Sequence, residues 1–154
     1  LVTTPDFLSL LPHAIYLPNP VDVDHFSKDV ITPNKVNNNN NALTIQTTSG
    51  DIQKTLHYCN ENNIDLKIDV LDRTKTPILY EEIPNFLKKY AVYVDIRIVN
   101  DKILENFSKT ALESLACGLK VLNHKLEYIN QLPEIHNPLN VTNELLKIYN
   151  KVRI

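Results

Sequence analysis

The 154-residue chain has only two glycines, where average usage would supply about eleven, and this excludes a glycine-rich phosphate-cradling loop. Methionine and tryptophan are missing altogether. The two cysteines, Cys59 and Cys117, stand far apart with no CxxC spacing and no histidine pattern beside them, which argues against a zinc site and supplies no disulfide framework. A reducing, cytoplasmic location is the default reading. No apolar run approaches the roughly 18 residues that span a bilayer, so any membrane contact would be peripheral. A net charge of -2 leaves no basic excess for nucleic acid. The 43% hydrophobic and 22% charged residues suit one domain that buries about two-thirds of its unfolded surface without staples.

The pattern along the chain alternates strands and helices. Residues 14–17 (AIYL) read as a strand stopped by Pro18-Asn-Pro20. Residues 22–41 carry no period and end in Asn37 to Asn41, a homopolymer read as an exposed, mobile loop. Residues 42–47 alternate as a strand. A polar turn at 48–51 leads into a helix over 52–62, whose apolar face is Ile52, Leu56 and Cys59. Residues 64–71 (IDLKIDVL) alternate again, 83–90 form a short helix with Pro84 in its first turn, and 92–96 read as a buried strand. The stretch 100–106 reads as a polar loop. Good helix formers over 110–117 end at Gly118 before a strand at 120–122, and 143–152 close the sequence as an amphipathic helix. Such alternation predicts an α/β fold, a Rossmann-like doubly wound parallel sheet.

Ligands of such folds bind beyond the carboxyl ends of the strands, where helix N-termini attract anions. The segment ENFSKTALESLACGLKVL, Glu105 to Leu122, lies at such a place, and Ser108 is a good N-cap with Lys109 and Thr110 beside it. This segment resembles the glutamate-seven-residues-glutamate signature of retaining GT-B glycosyltransferases of the family 4 type. LPNPVD at 17–22, with Phe26 following, resembles the segment that opens their second domain. The resemblance implies that residues 1–17 are the end of a preceding domain or a linker strand. Residues 18–154 would then be the Rossmann-like donor-binding domain, truncated at its C-terminus.

It further implies that Glu113 accepts the ribose hydroxyls of a nucleotide diphosphate sugar and that Glu105 faces the sugar ring. The backbone N–H groups of Ser108, Lys109, Thr110 and Ala111 would hold the diphosphate. Carboxylates suit diols because an ionised carboxylate accepts two hydroxyl protons at once. The sequence departs from the family's pattern in having Ser108 where the family has glycine and Lys120 where it has proline. The family's basic pair is reduced to Lys54, since no arginine lies between Ala42 and Asp72; Arg73 and Lys75 are alternatives for neutralising the phosphate.

Each residue also has a plainer reading. Glu113 and Lys54 could be solvated helix residues and Glu105 a loop acid. His124 could reach the cleft. Cys117 reads as core, Tyr90 and Tyr93 as strand packing, and Asp95 as a buried polar contact. The Asp22-Val-Asp24 pair reads as a turn, so neither metal nor cofactor is implied. The implied partners are the sugar donor and an N-terminal acceptor domain, in the same or another chain, with a homo-oligomer as a further option. Two other classes compete: a non-catalytic binding module that kept the fold, and a flavodoxin-like or response-regulator-like domain. The latter lacks its phosphate loop or acidic phospho-acceptor cluster.

Overall fold

The computed structural model describes residues 1–27, 40–46, 50–73 and 75–152. Residues 37–39 of the asparagine run, Thr47 of the first strand and Thr48-Ser49 of its turn lie outside them. The secondary structure comprises α1 (Val23–Ser27), β1 (Asn41–Gln46), α2 (Ile52–Glu61), β2 (Lys67–Asp72), α3 (Ile83–Leu87) and β3 (Val92–Val94). These are followed by β4 (Ile98–Val99), β5 (Lys102–Ile103), α4 (Lys109–Ala116), β6 (Lys120–Leu122), β7 (Tyr128–Ile129) and α5 (Pro138–Val152).

Five strands form one sheet in the order β2-β1-β3-β6-β7. The first four are parallel, and β7 runs antiparallel along β6, so the expected all-parallel sheet is in fact mixed. Period-two alternation sorts the side chains between two faces. Leu43, Tyr93 and Val121 meet Phe26 of α1, Leu87 of α3 and Ala111, Leu112 and Leu115 of α4. On the other face Ala42, Val94 and Leu122 meet Cys59 of α2. Thr44 is tolerated in this interior because its Oγ1 donates to the Val94 carbonyl at 3.1 Å.

Several boundaries move for local reasons. The segment 14–17 is no strand: Tyr16 makes one isolated parallel bridge to Val2. β2 begins at Lys67, because the chain leaves α2 through Asn63 in the left-handed region (φ 53°) and uses Ile64 and Leu66 to cover the sheet edge. α3 stops at Leu87, while α5 starts five residues earlier than its apolar pattern, at Pro138, with the Asn137 side chain accepting the Leu139 N–H. The stretch 100–106 is not a simple polar loop. Ile103 pairs with Ile98 in the two-stranded hairpin β4-β5, turned at Asn100 and Asp101, both at positive φ (48° and 62°).

α4 ends in a motif that needs glycine. The Leu119 N–H donates to the Ser114 carbonyl and the Gly118 N–H to the Leu115 carbonyl, both at 3.0 Å, with Gly118 at φ +85°. A Cβ added at Gly118 would meet nothing within 4 Å, so any cost of substitution is conformational and not steric crowding. Gly118→Ala should therefore destabilise the chain by about 1–2 kcal/mol, and Gly118→Asn by less, in urea denaturation. Equal stability of all three proteins would show that α4 does not depend on this turn.

Candidate functional site

The strand order reverses direction between β1 and β3: α2 carries the chain outward to β2, and α3 brings it back to the far side of β1. The N-termini of α2 and α4 both rise beside this carboxyl edge. A shallow, open depression with a cavity volume of only about 10 Å³ lies here, lined by Thr44, Gln46, Asp51, Thr55 and Arg97 among others.

At α4, Ser108 has the extended backbone of an N-cap (φ -68°, ψ 157°), and its Oγ accepts the Ala111 N–H at 3.0 Å. Its own N–H donates at 2.9 Å to Oδ2 of Asp95, which sits just past the end of β3 and is buried. Two of the N–H groups proposed from sequence for a diphosphate are thus bonded within the protein, that of Ser108 to Asp95 and that of Ala111 to the cap.

Asp95 is the buried polar contact read from the sequence. Arg97 Nε lies 3.3 Å from Asp95 Oδ1, and neither atom has a hydrogen-bond partner in ideal geometry, so the two face each other as an ion pair. An Arg97 Nη2 group donates to the Asn106 carbonyl. Burial raises the Asp95 pKa, while Arg97, the Ser108 hydrogen bonds and His124 pull it back. His124, proposed as able to reach the cleft, therefore has its electrostatic effect on Asp95, and its carbonyl accepts the Tyr58 hydroxyl at 3.2 Å. Tyr93 is buried with its phenol facing Ser108 and Thr110, and burial raises its pKa.

Glu113 lies one turn into α4 and is only 5% exposed. Lys109 Nζ is 3.8 Å from its Oε1, and the carboxylate also senses Arg73 and His25. Desolvation is the larger influence and raises the Glu113 pKa. His25 is positioned by Asp22, whose Oδ1 accepts the His25 N–H at 3.0 Å, and this is what the Asp22-Val-Asp24 turn does. The His25 ring stacks on Tyr80 at 4.4 Å and 8°. Tyr80 remains 44% exposed and is itself within the field of Glu113.

The other proposed residues are dispersed around this centre. Glu105 is exposed, and its N–H donates at 3.2 Å to Asp6 Oδ1 on the turn Pro5–Phe7. Lys54 lies in the first turn of α2, whose N-cap is Asp51, and its Nζ pairs with Asp101 at 2.5 Å and with Asp51 at 3.6 Å. Of the alternative cations, Arg73 acts on Glu113, whereas Lys75 pairs with Asp72 at 3.3 Å. Cys117 belongs to the core, and burial pushes its thiol up to about 11. Tyr90 packs on Phe86, with ring centroids 5.7 Å apart.

Sequence reasoning missed Arg97, Asp101, and the pairing of His25 with Tyr80. Only Asp95-x-Arg97, an acid and a base on the same side of an extended segment, carried a local signal. Among the described residues no three His, Cys, Asp or Glu side chains gather as a metal ligand set, and no helix is long and apolar enough to cross a membrane. No protein-family model, curated protein or solved structure matches the chain.

The raised carboxyl groups set a pH dependence. A carboxyl whose pKa is higher folded than unfolded contributes stability that is full below the unfolded value and is lost as pH rises through the folded one. Asp95 and Glu113 should each contribute stability that falls as pH rises above about 4, and Asp95→Asn, which cannot ionise, should lose less stability than wild type between pH 4 and 8 in urea denaturation. Parallel pH profiles for the two proteins would show that Asp95 carries no folding-linked proton.

Proposed function

We propose that the chain is the nucleotide-sugar-binding half of a retaining glycosyltransferase of the GT-B type, transferring a sugar from a nucleotide diphosphate donor. The observation that carries this reading is Glu113, a carboxylate buried one turn inside α4 and ringed by Lys109, Arg73 and His25. Lys109, Arg73 and His25 offset part of the burial that raises its pKa, and an ionised carboxylate is the acceptor that a ribose diol requires. The strand order, with helices on both faces and two helix N-termini at the point of reversal, supports a doubly wound, Rossmann-like donor domain.

In this reading the base lies toward Tyr80, whose ring is held flat by His25, and the ribose sits on Glu113. The diphosphate meets the first turn of α4 and the cations Lys109 and Lys54. As the sugar leaves, negative charge grows on the diphosphate, and first-turn N–H groups of α4 together with nearby ammonium groups, once released from their partners within the protein, stabilise that charge. Glu105 would face the sugar, and the acceptor would come from a partner domain. Leu1, Leu10, Leu11 and Ile15 are exposed and would form part of the surface that meets it.

A second reading, a non-catalytic module with the same fold, is favoured by one specific observation. The N-terminus of α2 is capped by Asp51, and Lys54 is paired with two carboxylates in place of a phosphate.

Calorimetry separates the two. UDP or GDP should bind more tightly than its monophosphate, and EDTA should change the affinity little. Glu113→Ala should weaken binding at least tenfold, because charge-assisted hydrogen bonds are worth about 1.5–3 kcal/mol each. Glu144→Ala, an exposed acid on α5, should stay within about twofold. No binding across the panel at millimolar ligand would leave the non-catalytic module as the better account.

A further inference from the structure

α5 is an amphipathic helix whose apolar side the described chain leaves bare. At about 100° per residue, Leu139, Thr142, Leu145, Leu146 and Tyr149 fall on one side of the helix, whereas Asn140, Glu144, Lys147 and Lys151 fall on the other. Among the described residues of α5 only Val141 is buried, and the helix touches chiefly the short turn Glu134–His136. Leu139 is 68% exposed, Tyr149 60%, Leu146 54% and Leu145 42%, and Ile135, four residues before Leu139, is 53% exposed. These five residues expose on the order of 500 Å², a size at which apolar surface marks a contact site.

The pattern is self-complementary. Leu139, Thr142, Leu146 and Tyr149 are spaced three, four and three residues apart, the alternation that packs one helix along another. In an antiparallel pair about a two-fold axis, Leu139 meets Tyr149 of the second copy and Thr142 meets its Leu146, and each contact occurs twice. Thr142 brings a methyl group and no unsatisfied hydroxyl, because its Oγ1 donates to the Pro138 carbonyl at 2.8 Å. At the axis Leu145 faces its own copy on one flank and Asn143 on the other, and an amide supplies both donor and acceptor, so two asparagines satisfy each other. Glu144 and Lys147, paired at 2.5 Å, lie with Lys151 on the far side, so no like charges are brought together. A lipid surface is the poorer fit: interfacial helices are rich in Lys and Arg on their polar side, and here that side carries two lysines and a glutamate.

We propose that the exposed side of α5 is a homodimer interface, in which α5 packs antiparallel on α5 of a second copy about a two-fold axis near Asn143 and Leu145. The two patches together reach the roughly 1,000 Å² that a specific interface needs, at the small end of the range, so the dimer is weak and concentration-dependent. The pairing is independent of the nucleotide reading, since it uses no residue of that site.

The test is sedimentation velocity of the full chain from about 5 µM to about 500 µM, where wild type should pass from monomer to dimer with half-association at about 50 µM. Leu146→Lys and Leu139→Lys each place a charge in the contact and should weaken association at least tenfold, whereas Glu144→Gln, an equal change of charge on the far side, should stay within about twofold. Both leucines are exposed, so the urea midpoints of these variants should match wild type. Orientation is read by cross-linking: a mixture of Thr142→Cys and Leu146→Cys should form an inter-chain disulfide on mild oxidation more than either variant alone, the native Cys59 and Cys117 being buried. A chain that stays monomeric at the highest concentration overturns the proposal. A dimer that both lysine variants leave intact also overturns it, because it would use another face, and cross-linking of the single variants as strong as that of the mixture overturns the antiparallel pairing. Flotation of monomeric wild type, but not Leu146→Lys, with vesicles of phosphatidylcholine and phosphatidylglycerol would assign the face to lipid instead.

Discussion

Burying a carboxylate is costly unless hydrogen bonds and a countercharge replace the water it loses, and in this protein that cost, offset in part by Ser108 and Arg97, falls on Asp95. The residue follows β3 directly, so the sheet fixes its position. It then holds two things in place: the Ser108 N–H that opens α4, and the Arg97 guanidinium, which reaches across to the Asn106 carbonyl. The loop between β5 and α4 is thereby pinned at Asn106 and Ser108. Because α4 starts where Asp95 sets it, Glu113 comes to lie one turn further along, facing His25 and Arg73. Without that anchor the helix could still form, but nothing would fix its N-terminus relative to the sheet edge.

The same logic shapes the charge around the reversal point. Both helix N-termini face carboxylates of the protein itself, Asp51 at α2 and Asp95 at α4, and each satisfies a backbone donor that would otherwise attract an anion. The basic side chains divide accordingly. Arg97 and Lys54 are drawn toward these acids, whereas Lys109 and Arg73 act on Glu113, with the His25 ring nearby. One side of the site thus presents a single buried carboxylate among basic side chains. The other presents anion-binding parts already engaged within the protein, so any phosphate that binds there must exchange partners and cannot simply fill a waiting cradle.

Much of the layer structure was legible because burial on both sides of a sheet leaves a strong pattern. β1, β3 and β6 fall within a residue or two of their expected places, and the helix ending at Gly118 was marked by its glycine. Elements stabilised by turn chemistry were not legible. The β4-β5 hairpin has two residues per strand and a turn without glycine, and β7 has two residues paired only through β6, so neither produces a period. The site was half legible for a related reason. Glu113, Ser108 and Lys109 share one helix and appear as a contiguous motif. The contacts of Lys54 with Asp101, of Asp95 with Ser108, and of His25 with Tyr80 join residues distant in sequence, and only the folded chain brings them together.

The central claim is that the Glu113 carboxylate receives a pair of ribose hydroxyls, and the contact can be removed from either side. The most direct measurement compares a nucleoside diphosphate with its 2′,3′-dideoxy analogue on wild type and on Glu113→Ala, by calorimetry under one buffer and ionic strength. If the contact exists, the analogue binds wild type about as poorly as the normal nucleotide binds the variant, and combining both changes adds little further loss, since coupled partners are not additive. Losses that add in full would contradict the account, leaving Glu113 as a buried acid of α4 with no part in recognition.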